Sequence, residues 1–207
     1  VLAGLAAAGF PAVVIDPVEV GAEHVQTFIA SAADGRRAFV KLLGRDERSA
    51  DLLFRAFRYL RVKDLDDERP SWQPARIADH EAFSSLLVAS RGVVVAPVLA
   101  VGQTEGGDGL LAVEVLDATP LDECDPEDLT DEVLDLAWAQ LVGLRSQGVA
   151  HRWITAGHLM LAEADPSGID GELAEPVVTV VAMRWAVHQA TPVHLGADVA
   201  MLAVSLA

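Results

Sequence analysis

Four of the six histidines fall late in the chain, at His151, His158, His188 and His194, and the first adjoins a cation in the segment GVAHRWITAGHLML, residues 148–161. Imidazole titrates near neutrality and ligates metals, so His151, Arg152 and His158 are the first residues to test for acid–base, metal or phosphate chemistry. Spacing speaks against a metal centre. His151 and His158 stand seven apart, and no histidine forms an i, i+4 pair with a neighbouring Glu of the kind zinc hydrolases use. The single cysteine, Cys124, excludes a cysteine-built zinc cage and an internal disulfide. No metal site is expected. Trp153, directly after Arg152, has no acid–base function at neutral pH.

Two charged stretches are candidate contact surfaces. Residues 45–63 hold six of the fifteen Lys and Arg side chains. With 3.6 residues per turn, Arg55, Arg58 and Arg61 share one helical face and Leu53, Phe57 and Leu60 another. The arginine face is a candidate surface for a protein partner or for membrane headgroups. The alternative is a solvated face paired with nearby Asp and Glu. Residues 117–135 carry nine acidic side chains and no basic one, most simply a solvated hinge and helix start. The net charge of −16 argues against nucleic acid, whose affinity comes from Lys and Arg on phosphates.

The elements that must position these residues read as two regions, 1–116 and 117–207. In the first, an Asp34–Gly35 step between β-prone runs marks a hairpin ending near Lys41. A basic helix, a Pro-containing break and a short helix around DHEAFSSLLVAS follow, the last ending near Gly92. VVVAPVLAVGQ and GLLAVEVL read as two strands joined by the turn-rich TEGGDG. In the second region, LTDEVLDLAWAQLVGLRSQG is a helix with Thr130 as N-cap, acidic residues in its first turn, Arg145 in its last and Gly148 as its stop. The quoted loop, the runs HLMLAEADP and EPVVTVVAM, and a final helix from GADVAMLAVSLA complete the chain. With 207 residues, 52% hydrophobic and 22% charged, the chain can bury a substantial core. No run reaches eighteen apolar residues, and the start lacks both a basic signal-peptide region and an initiator Met. A soluble fragment of a longer protein is expected.

Order and residues together resemble the protein-kinase-like fold. His151–Arg152 match the start of a catalytic loop, Lys41 in AFVKLLG the strand lysine that holds nucleotide phosphates, and Glu81 its helix partner. LAVEVLDATPL, with Glu114, looks like the hinge. Asp198 resembles the buried Asp that braces the catalytic loop. The longer match of FVKLLGRDERSADLLFRAFRYLR with DERP, HEA, AHR and ADVAMLAVSLA is similar to the kinase-like domain of large actinobacterial membrane proteins. Those proteins carry a flippase-like, lysylphosphatidylglycerol synthase transmembrane region. It covers roughly residues 20–207.

The resemblance implies an α+β fold with a five-stranded antiparallel lobe and a shortened helical lobe. It also implies the degeneration of the catalytic positions. Phosphoryl transfer needs an Asp to orient the nucleophile and oxygen ligands for Mg²⁺. Trp153 stands at the Asp position, His158 at the Asn position, and Ala182, Met183 and Arg184 on the metal-binding Asp-Phe-Gly triplet. The segment before Lys41 holds one glycine, Gly21, where a phosphate-cradling loop would hold several. The expectation is a pseudokinase: a binding or regulatory module on the cytoplasmic side of a larger membrane protein, partnered by that protein's transmembrane region and an unidentified protein. Lys41, Glu81 and Glu114 would contact nucleotide where any is retained, as metal-independent ATP; otherwise no cofactor is expected. Trp153, Trp185 and Met183 are read as side chains filling the space of the lost ligand. Two alternatives stay open. One is a divergent phosphotransferase using Glu163 or Asp165 as metal ligands; the other is a purely structural domain.

Overall fold

The computed structural model describes residues 1–18, 25–44, 73–162 and 175–207. These group into two compact units, residues 1–83 with 97–115 and residues 84–96 with 116–207.

The first unit is built on a five-stranded antiparallel sheet of order β1-β2-β3-β5-β4. Its strands are β1 (Ala12–Val18), β2 (Gln26–Ala32), β3 (Arg37–Leu43), β4 (Val98–Gln103) and β5 (Gly109–Glu114). The β2–β3 turn sits at the Asp34–Gly35 step: Gly35 takes φ 88°, and the Asp34 carboxylate accepts the Arg36 amide at 3.1 Å. Successive strand residues face opposite sides, so the sheet buries two different sets of side chains. Ala30, Ala38, Val40, Ala100, Leu110 and Ala112 form one core with Leu5 of helix α1 (Leu2–Ala7) and Phe10. Leu43 and Leu111 form the other with Ala78 and Ala82 of helix α2 (Pro74–Ala89). Pro17 sits on edge strand β1, where a missing N–H costs no ladder bond.

Helix α2 begins well before the expected DHEAF stretch. Pro74, Ala75 and Arg76, expected to belong to a polar break, are its first turn, because a proline at the start of a helix gives up only an N–H that has no intrahelical acceptor. Arg55, Arg58 and Arg61, together with Glu163 and Asp165, lie outside the described residues.

The second unit centres on helix α3 (Asp131–Ser146), which buries the stripe Val133, Ala137, Leu141 and Leu144. Thr130 caps it by accepting the Val133 amide at 3.3 Å, and Gly148 ends it at φ 68°. Strands β6 (Thr119–Pro120), β8 (Leu159–Ala162) and β9 (Val177–Val180) form one small sheet, and β7 (Val149–Ala150) pairs with β10 (Val187–His188). Helix α4 (Pro192–Ser205) starts earlier than its glycine suggested, because Thr191 and His194 form a reciprocal cap before it. Ile154, Leu159, Val178, Val180, Met183 and Leu202 meet in the core of this unit.

Candidate functional site

Lys41 and Glu81 meet in the first unit, and His151, Arg152, His158 and Asp198 gather in the second. In the first unit, Lys41 lies near the middle of β3, opposite Thr27 on β2 and Leu111 on β5. Its ammonium donates to Glu81 Oε1 on α2 at 2.8 Å. The pair is largely removed from water, with side-chain exposures of 12% and 3%. Glu81 Oε2 is buried and has no hydrogen-bond partner among the described residues, so the carboxylate keeps one acceptor unused. Glu114, at the end of β5, is exposed, and its amide donates to the Pro97 carbonyl at 2.8 Å.

In the second unit, the loop after β7 is anchored from α4. Asp198, 1% exposed, accepts the His151 amide at 2.6 Å on Oδ2 and the Arg152 amide at 2.8 Å on Oδ1. These two bonds hold the backbone where Arg152 takes the left-handed region, φ 69°. Burial raises the Asp198 carboxyl to about 6, against the lowering effect of the two amides and of Arg152's charge. His151 is fully buried and its Nε2 donates to the Val181 carbonyl at 2.9 Å. The Val181 amide in turn donates to the His158 carbonyl at 3.0 Å. The His151 and His158 rings meet edge to face at 5.4 Å, and Thr155 Oγ1 is hydrogen-bonded to His158 Nδ1 at 2.9 Å. His151, His158, Val181 and Asp198 therefore form one bonded group, with Ala182 next along the chain.

That backbone has the form of a site, but its side chains do not suit Mg²⁺. Ala182 takes φ 62° and ψ 51°, a left-handed conformation disfavoured for Ala and easier for Gly, Asn or Asp. It presents a methyl group where the resemblance places a metal carboxylate. His158 offers imidazole nitrogen, a poor ligand for a hard cation, and its Nδ1 is already engaged by Thr155. Trp153 supplies no oxygen. Among the described residues no group of three or more His, Cys, Asp or Glu side chains is placed to hold a metal ion. Met183 is 1% exposed and packs in the core of the second unit. Trp153 and Trp185 are partly exposed, and Arg184 lies 5.1 Å over the Trp185 ring.

Sequence reasoning missed several contributors to this geometry. Val181 works through its backbone, which carries no residue-type signal. The left-handed Ala182 was equally silent, because Ala is not a residue that announces positive φ. Thr155 was legible as a hydroxyl three residues before His158, the separation at which side chains in a tight turn meet.

No family model and no curated protein matches the chain. Solved structures do. It is similar to the Rio2 kinase of Chaetomium thermophilum, in its complex with ADP, Mg²⁺ and phosphoaspartate, at TM-score 0.63 and 17% identity over 94% of this chain and 56% of that one. A second structure of the same kinase matches at TM-score 0.60 and 18% identity, over 96% and 58%. The Mycobacterium tuberculosis PknI kinase domain matches more weakly, at TM-score 0.48 and 14% identity over 86% and 62%. The chain spans a little over half the length of the Rio2 chains. The five-stranded antiparallel sheet with its helix-borne carboxylate, followed by the mainly helical unit, is a protein-kinase-like α+β fold.

Proposed function

We propose that this chain is a pseudokinase module: a kinase-like domain that binds and regulates without transferring phosphate. The observation that carries the reading is Ala182. Its backbone is held in a conformation suited to a short polar side chain, beside an intact His151–Asp198 anchor, yet it has no oxygen to offer a metal. Trp153 and His158 remove the other two groups that the chemistry needs. The Lys41–Glu81 pair fits a phosphate clamp, so metal-independent nucleotide binding through Lys41, Glu81 and Glu114 belongs to the same proposal. No step of phosphoryl transfer is derived through Mg²⁺, because the residues present do not fit it.

By its resemblance to the actinobacterial flippase-like proteins, the domain works on the cytoplasmic face of a membrane. Its partners there are the parent protein's transmembrane region and a further protein. No helix among the described residues is long and apolar enough to cross a bilayer. The basic face Arg55, Arg58 and Arg61 is the candidate contact with partner or headgroups. Release of γ-phosphate from ATP with Mg²⁺ or Mn²⁺, measured for the wild-type chain and Lys41→Met, tests the reading. Equal background rates support a pseudokinase; turnover that Lys41→Met abolishes points to a divergent phosphotransferase drawing on Glu163 or Asp165.

A further inference from the structure

Strand β5 begins at Gly109, and a Cβ there would stand 2.3 Å from the Pro74 carbonyl oxygen, 2.7 Å from its carbon and 3.1 Å from the Ala75 Cα. These are backbone atoms of the first turn of α2, with no rotamer by which to yield. Helix and strand thus touch backbone to backbone, a separation only glycine permits. Ala78 and Ala82 extend the contact along the same helix face, 0% and 3% exposed, against Leu43 and Leu111. Leu111 is the cross-strand neighbour of Lys41, and Glu81 adjoins Ala82. The close seat of α2 on Gly109 therefore also brings the Glu81 carboxylate to 2.8 Å from Lys41.

We propose that Gly109 is a positioning residue: its missing side chain sets the height of α2 above the sheet and assembles the Lys41–Glu81 pair before any ligand arrives. The inference goes beyond the proposed function, because it holds whether or not a nucleotide binds. A pair built in advance leaves no helix movement for a ligand to drive, so binding at Lys41 carries no cost for drawing α2 inward. The Lys41 ammonium donates to Glu81 Oε1, and the buried Glu81 Oε2 has no hydrogen-bond partner among the described residues.

The test is a double-mutant cycle between Lys41→Met and Glu81→Gln, read by chemical denaturation, in the wild-type chain and in Gly109→Ala. The expected result is coupling between positions 41 and 81 in the wild-type background and its loss in Gly109→Ala, with faster amide exchange over residues 76–82. A methyl group that acted only by general destabilisation would leave the coupling unchanged, and equal coupling in both backgrounds overturns the proposal. Should Gly109→Ala fail to fold, Ala78→Val lifts the helix from the same face one turn further on. It is expected to weaken the coupling, and undiminished coupling there is equally contrary to the proposal.

Discussion

Replacing Asp198 by Asn separates the two forces acting on the loop anchor. The carboxylate is 1% exposed and accepts two backbone amides. Burial disfavours its charge, the amides favour it, and burial wins, raising the group from 3.8 to about 6. A folded-state pKa above the unfolded value means that the native chain holds the proton more tightly. The associated stability is fully present below pH 3.8 and is lost as pH rises through about 6. The gap between those values, at about 1.4 kcal/mol per pH unit, makes the loss about 3 kcal/mol. Asn is neutral at every pH and, like the protonated acid, offers one good acceptor to the two amides. Titration of all other groups cancels when the two proteins are compared. The stability of Asp198→Asn relative to wild type, from denaturant melts at pH 4 and pH 7, is therefore expected to shift by about 2 kcal/mol in favour of Asn on going to pH 7, the rest of the loss falling below pH 4. A difference that stays constant with pH, or moves toward Asp, would falsify the claim that burial outweighs the amide bonds.

Other consequences are simpler to state. Lys41→Met leaves the Glu81 carboxylate buried without its cation, and a loss of about 3 kcal/mol is expected at pH 7 by denaturant melt; adding Glu81→Leu should restore part of it. Ala182→Gly relieves a left-handed alanine at the cost of greater freedom in the unfolded chain, so a net gain of up to about 1 kcal/mol is expected in the melting curve. Asp198→Ala leaves the His151 and Arg152 amides without their acceptor, and hydrogen exchange at those two amides should accelerate well beyond that of the α3 core.

Much of the fold was legible because its signals are local. The Asp34–Gly35 turn, the Thr130 cap, the Gly148 stop and the alternation around Lys41 each follow from one residue's backbone or side-chain preference. Lys41 and Glu81 lie forty residues apart in sequence and meet at 2.8 Å, an encounter that only the resemblance suggested. The starts of α2 and α4 were read too late, since Pro74 and the Thr191–Pro192 step look like breaks until one sees that a first-turn proline costs nothing. The roles of Gly109 and Ala182 depend on which backbone lies opposite and on φ, and neither is written in residue type. Met183 illustrates the converse: a large apolar side chain beside expected chemistry turned out to be core.

The most direct measurement of the central claim is the thermal midpoint of the purified chain with ATP or ADP, each with and without Mg²⁺, for wild type and Lys41→Met. A ligand that binds only the folded state raises stability by about 2.7 kcal/mol at a hundredfold excess over its dissociation constant, so binding is readily seen. A pseudokinase without a metal carboxylate at position 182 gives the same midpoint for each nucleotide whether or not Mg²⁺ is present. A shift that requires Mg²⁺ and disappears in Lys41→Met would contradict it.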